Sequence, residues 1–137
     1  MQHRAGTFAA FRVVLVCEAI VFLLAAILHT GGFGVAALLP AMIVEGLCGI
    51  ACVISAYAVF THRPWARKTA IIVQISIFAG VLLGIAALLG DAGIRTPLNL
   101  GLHGIMLVLI VSGLSLLAIP GTRQAFRSDD TPRPGEG

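Results

Sequence analysis

Charged residues are scarce in this chain of 137 residues. Only 11% of its residues are Asp, Glu, Lys or Arg, whereas an ordinary soluble domain has about 25%. Hydrophobic residues make up 58% of the chain, and the mean hydropathy is +1.02. A soluble protein of this size cannot cover its surface with so few charges, and a disordered chain would be far more polar. The composition therefore excludes both classes and indicates an integral membrane protein.

Cysteines and recognisable catalytic motifs are also few or absent. The three cysteines, Cys17, Cys48 and Cys52, lie within apolar runs, which is typical of small buried residues rather than of a disulfide framework. The nucleophile elbow, the phosphate-binding loop, the zinc-binding helix motif and the dinucleotide fingerprint do not occur. The nine basic residues are scattered and form no basic face, so nucleic acid is not an expected partner. We therefore expect a binding or accessory protein rather than an enzyme.

Four continuously apolar runs predict four membrane-spanning helices. Each run is close to the roughly 20 residues that a helix needs to cross a bilayer. Short Gly-rich or Pro-containing connections separate the runs, which places consecutive helices side by side and antiparallel. The predicted fold is an all-α membrane bundle of four helices, up-down-up-down, over residues 1–120. Its spans lie at about 13–29, 35–60, 69–90 and 98–119, and a polar tail that is disordered in this prediction follows at 121–137.

The basic residues predict the orientation of these helices. Segments on the cytoplasmic side of a membrane carry an excess of Lys and Arg. Eight of the nine basic residues lie in the N-terminal segment, in the loop at 61–68 or in the tail, which share one side of the predicted bundle, and only Arg95 lies on the other side. Trp65 is suited to an interfacial anchor on the basic side. The sequence thus predicts a multi-pass protein of the inner (plasma) membrane with both termini in the cytoplasm.

A few polar side chains within the spans are the candidate functional residues. An ionisable side chain at the centre of a membrane helix costs about 2.5–3.5 kcal/mol, so each needs a partner or a function. Counting along the predicted spans places Glu45 near the midplane and the two histidines near the outer ends. We predict one site in the outer half and a second polar pair in the cytoplasmic half. The outer site comprises Glu45, His103, Asn99 and His29, and the inner pair is Glu18 and Gln74.

Several kinds of ligand fit the outer site. Carboxylate and imidazole groups suit a transition metal, and a cysteine shifts the preference toward copper, so Glu45, His29, His103 and Cys48 are candidate metal ligands. Alternatively, His29 and His103 are candidate axial ligands of haem b, and a quinone site is a related possibility. Without a cofactor, the same residues would bind another small ligand or an ion.

Two further alternatives concern the whole bundle. A layout of four helices with a Glu in the first resembles the small multidrug resistance exporters, which implies proton-coupled export through Glu18 or Glu45. Those exporters carry aromatic residues around the site, whereas this chain has one Trp and one Tyr. The other alternative is an accessory subunit that packs against a larger membrane complex. Gly80 and Gly84 form a GxxxG pattern, which predicts a helix contact within the bundle or a homodimer seam.

Overall fold

Five helices make up the described part of the chain. The computed structural model describes residues 2–31, 37–90 and 96–128, and these residues contain no strand. Four of the helices are long and apolar enough to cross a membrane. The helices are α1 (Gln2–Leu28), α2 (Leu39–Phe60), α3 (Ala66–Leu89), α4 (Pro97–Ala118) and the short α5 (Pro120–Ser128).

The observed helix limits differ from the apolar runs at two places. The first helix begins at Gln2 rather than near residue 13, because polar residues continue a helix without interrupting its backbone hydrogen bonds. The second begins at Leu39 rather than near residue 35, and Pro40 occupies its first turn. Proline is well suited to that position because the first N–H groups of a helix have no partner within it. Residues 35 and 36 lie outside the described residues.

The distribution of polarity is the reverse of that in a soluble protein. Large apolar side chains such as Leu47, Leu83 and Val108 are 62%, 71% and 66% exposed. Buried polar side chains instead occupy the interior of the bundle. A contiguous apolar surface of this kind is excluded from water in a stable protein, and a bilayer provides that exclusion. The buried polar set comprises Glu18, His29, Glu45, Ser55, Gln74, Asn99 and Thr122.

The four long helices pack in a ring. Helix α1 contacts α2 and α4, and α3 contacts the same two neighbours. Hydrogen bonds join the end of α1 to the beginning of α2 and the early part of α1 to the end of α2, so these two helices run antiparallel. We name the two ends of the bundle after residues in them. His29, Glu45 and His103 lie toward the Glu45 end, while Arg12 and α5 lie toward the Arg12 end.

The beginning of the predicted tail is helical. The sequence predicts disorder over residues 121–137, whereas Pro120–Ser128 forms α5, and residues 129–137 lie outside the described residues. Phe126 is buried against Phe8 and Phe11 of α1, with ring centroids 5.1 and 6.2 Å apart. Edge-to-face aromatic packing of this kind stabilises a contact beyond the burial of apolar area. This contact ties α5 to the start of α1.

Arg12 links α1 to the end of α2. Its guanidinium donates to the carbonyl oxygen of Val59 at 3.3 Å and to Nε2 of His62 at 3.0 Å. It also lies over the rings of Phe8 and Phe60, 4.5 and 5.2 Å from their centroids. His62 adopts a left-handed backbone conformation with φ of +52°, which turns the chain out of α2. The Arg12 side chain therefore donates a hydrogen bond to a carbonyl at the end of α2 and also makes cation–π contacts with two aromatic rings.

Close approach of α1 and α2 depends on Gly49. A Cβ atom added there would lie 2.8 Å from the side chain of Leu23 and 3.2 Å from its backbone nitrogen. Membrane helices associate through such close packing, because lipid offers no hydrophobic driving force. Gly46 lies three residues earlier. A Cβ atom added there would lie 3.9 Å from the Cβ atom of Ala26, which is an ordinary van der Waals contact. The two glycines thus form a matched pair for mutation.

Replacing Gly49 with alanine is expected to destabilise the bundle by about 1–3 kcal/mol, because the helices must move apart. Gly46→Ala, the control, should change stability by less than about 0.5 kcal/mol. Unfolding in increasing mole fractions of dodecyl sulfate, followed by circular dichroism, gives both values. Equal stability of the two variants would contradict the close α1–α2 contact.

Candidate functional site

The Glu45 end contains a buried ion pair or hydrogen bond between α1 and α2. Nδ1 of His29 lies 2.6 Å from Oε2 of Glu45, and the side chains are only 4% and 8% exposed. The chain turns after α1 through Gly31, which has φ of +91°, a conformation that glycine adopts without strain. The backbone N–H of Leu38 then donates to the carbonyl of His29 at 3.0 Å. These contacts hold the beginning of α2 against the end of α1.

His103 on α4 is oriented by its own helix and by a glycine of α3. Its Nδ1–H donates to the carbonyl oxygen of Asn99 at 2.9 Å, so Nε2 of the neutral ring is a hydrogen-bond acceptor. A Cβ atom added at Gly84 would lie 2.6 Å from that Nε2. The absence of a side chain at Gly84 therefore gives the imidazole its place against α3. Asn99 is itself fixed at the start of α4, where its N–H donates to the side chain of Thr96.

Glu45 and His103 both line a groove between α2, α3 and α4. The groove has a volume of about 360 Å³ and is open on one side. Apolar residues from all four long helices form most of its lining, and Cys48 is the third polar side chain in it. The apolar lining includes Phe22, Pro40, Val44, Leu83 and Met106.

The two glycines of the GxxxG pattern of α3 differ in their surroundings, and only Gly84 packs closely against another helix. Gly80 has no atom of another residue within 4 Å of the position of an added Cβ, and it lines the groove beside Gly84. The pair therefore opens space between helices: Gly84 receives the ring of His103, and Gly80 leaves part of the groove empty.

Glu18 and Gln74 form the second polar contact. Nε2 of Gln74 donates to Oε2 of Glu18 at 2.5 Å, and both side chains are fully buried. The contact joins α1 to α3, which lie across the ring from each other. Gly113 of α4 provides the room, because a Cβ atom there would lie 2.8 Å from Oε1 of Gln74. The sequence analysis paired the two polar residues but did not identify the glycine.

The structure places Glu18 deeper within its span than the sequence analysis does. Glu45 lies six residues, or about 9 Å, after the first residue of α2, and four to five residues, or about 7 Å, before the centre of that span. Glu18 lies twelve residues after Gly6 and ten before Leu28, at the centre of its span. The prediction was wrong on depth because the apolar runs do not coincide with the helix limits.

The structure brings only some of the predicted site residues together in the groove. Glu45, His103 and Cys48 share the groove, whereas His29 touches Glu45 but does not line the groove. In residues 2–31, 37–90 and 96–128 no three His, Cys, Asp or Glu side chains are grouped as a metal ion would require. All three cysteines are free thiols.

Comparisons with known proteins add no assignment. No protein-family model, curated protein or solved structure matches the chain.

The hydrogen bond between Glu18 and Gln74 can be tested by removing one partner. Gln74→Leu leaves the buried carboxyl group of Glu18 without a partner and should cost about 1–3 kcal/mol of stability, measured by unfolding in dodecyl sulfate. Ser76→Leu, an exposed polar position on the same helix, is the matched control and should be nearly neutral. Adding Glu18→Leu to Gln74→Leu should recover stability, because no polar group is then left unpaired. Additive losses in this double-mutant cycle would contradict the contact.

Proposed function

We propose that this protein binds a small, lipid-soluble ligand in the groove at the Glu45 end. One observation carries the proposal: an open groove of about 360 Å³, mostly apolar, is lined by both Glu45 and His103. Ligand sites are concave and mainly apolar, with a small number of polar groups that orient the ligand. The groove has the size and composition of such a site.

The two polar groups define the chemistry of the ligand. Nε2 of neutral His103 accepts a hydrogen bond, since Nδ1–H is already used by Asn99. The carboxylate of Glu45 also accepts, and one of its oxygens already receives a hydrogen bond from His29. The ligand must therefore supply donors, which in a lipid-soluble molecule are hydroxyl groups on an apolar ring. A reduced quinone has this chemistry.

The surroundings of the groove favour entry from lipid rather than from water. Val44 of α2 and Leu83 of α3 line it and are 52% and 71% exposed. Both helices are apolar on their outer faces and long enough to cross a bilayer. A ligand dissolved in the hydrocarbon region would reach Glu45 and His103 without crossing the polar interface.

Of the alternatives, bis-histidine haem ligation receives the least support. His103 lines the groove, but His29 does not, and Nδ1 of His29 is held by Glu45. A haem would require both imidazoles to face one flat slot. We therefore expect the purified protein to show no Soret band.

We further propose that the Glu45 end faces the outside of the inner membrane and that both termini are cytoplasmic. All five Lys and Arg residues whose side chains are described lie toward the Arg12 end or in the loop and helix next to it. An excess of basic residues marks the cytoplasmic side of bacterial-type membrane proteins. The five are Arg12, Arg63, Arg67, Lys68 and Arg123.

The orientation is tested with reporters fused after Gly137 and inserted between His29 and Leu38. Alkaline phosphatase, active only outside the cytoplasm, should be inactive at the first position and active at the second. A fluorescent protein that folds only in the cytoplasm should give the opposite result. A phosphatase signal after Gly137 would overturn the proposed orientation.

Ligand binding is tested with a short-chain quinone in its reduced and oxidised forms. The reduced form should stabilise the purified protein against dodecyl sulfate by about 2.7 kcal/mol at a concentration 100 times its Kd. The oxidised form has acceptors only and should stabilise it much less. Gly80→Leu fills the empty part of the groove and should abolish the effect.

The matched control is Gly104→Leu on α4. An added Cβ there meets no atom within 4 Å, and Gly104 does not line the groove. This variant should respond to the reduced quinone as the wild type does. If the wild type and Gly80→Leu respond equally, the groove is not the binding site, and if neither form of the quinone stabilises the wild type, the proposed ligand class is wrong.

A further inference from the structure

A second concave surface lies at the Arg12 end, next to the beginning of α3. It has a volume of about 500 Å³ and is lined by Arg63, Pro64, Arg67, Lys68, Ile71, Ile72 and Phe126. A smaller hollow of about 210 Å³ adjoins it, lined by Arg67, Pro120, Arg123 and Gln124. Arg67 belongs to both. We call the two together the basic cleft.

We propose that the basic cleft binds the phosphate headgroup of an anionic phospholipid, with one acyl chain along its apolar side. This inference is independent of the ligand proposed for the groove, because the two surfaces lie at opposite ends of the bundle.

The first argument is the excess of positive charge among the described residues that line the basic cleft. Four cationic side chains line the basic cleft, namely Arg63, Arg67, Lys68 and Arg123. Arg63 donates to the hydroxyl oxygen of Tyr57 at 3.0 Å, but no carboxylate within the described residues pairs with any of the four. The two described glutamates both lie within the spans. Cations gathered without a counter-charge repel one another, and a bound anion removes that repulsion.

The second argument is the uncapped beginning of α3. Its N-cap residue, Trp65, makes no side-chain hydrogen bond to the helix, and the first turn contains no acidic residue. The first N–H groups of a helix lack partners and carry partial positive charge, so they favour an anion. Arg67 and Lys68 lie in this first turn, where their charges add to that of the helix end. The N–H of Ala66 already donates to the carbonyl oxygen of Arg63 at 2.9 Å, so a phosphate there would meet the N–H groups of Arg67 and Lys68 together with their cationic side chains.

The third argument distinguishes a lipid from a free anion. Ile71, Ile72 and Phe126 form an apolar side of the basic cleft, and Ile72 is 54% exposed. Trp65 beside it is 42% exposed, which is typical of a residue at the interface between headgroups and hydrocarbon. Inorganic phosphate would leave this apolar surface uncovered, whereas an acyl chain would cover it. Basic pockets beside membrane helices are known sites for anionic headgroups.

The proposal is tested by native mass spectrometry of the full chain released from mixed micelles. These contain equal amounts of phosphatidylglycerol, which is anionic, and phosphatidylcholine, which is zwitterionic. The wild type should retain phosphatidylglycerol in preference to phosphatidylcholine. Arg67→Gln should bind phosphatidylglycerol about fivefold more weakly, the change that corresponds to about 1 kcal/mol per removed charge near the surface. Arg67→Lys should retain most of the binding.

Arg95→Gln is the charge-matched control, since residue 95 follows the last residue of α3 in the sequence, whereas Arg67 belongs to its first turn. It should leave phosphatidylglycerol binding unchanged, and circular dichroism should show equal helix content in all variants. Equal losses in Arg67→Gln and Arg95→Gln would overturn the proposal, because net charge alone would then account for the binding. Equal retention of the two lipids, or equal thermal stabilisation by inorganic phosphate and phosphatidylglycerol, would also overturn it.

Discussion

The hydrocarbon core of a bilayer offers no hydrogen-bond partner, and the rest of this structure depends on that constraint. The two glutamates within the spans are both buried, and each meets a polar side chain from outside its own helix. Glu18 receives a hydrogen bond from Gln74, and Glu45 receives one from His29. These contacts connect α1 to α3 and to α2 respectively, so polar pairing helps to set how the helices are rotated.

Glycine makes these inward contacts possible. Gly113 gives space to the amide of Gln74, Gly84 gives space to the ring of His103, and Gly49 gives space to Leu23. In each case the missing side chain lies opposite a large side chain of a neighbouring helix. The same property that brings helices together also creates volume, since Gly80 has no such neighbour and lines the groove. Glycine residues therefore account both for the close packing of the helices and for part of the volume of the groove.

The two ends of the bundle differ in chemistry. The Glu45 end holds its carboxylate and imidazoles within the helices, away from water, and the groove beside them opens among apolar side chains. The Arg12 end carries the basic residues, and an arginine there closes α1 onto the end of α2 through hydrogen bonds and aromatic faces. A carboxylate inside a span suits a small neutral donor, whereas exposed cations at an interface suit a phosphate.

Local properties of the sequence were sufficient to predict four long apolar helices, the scarcity of charge outside the loops and the polar residues of interest. They were not sufficient for depth or for partners. The helix limits place Glu18 at the centre of its span, because the first helix continues through polar residues that precede the apolar run. Which side chains meet was decided by the tertiary structure alone. Contacts such as that of His103 with Gly84 depend on the rotation and spacing of separate helices, and no single helix contains that information.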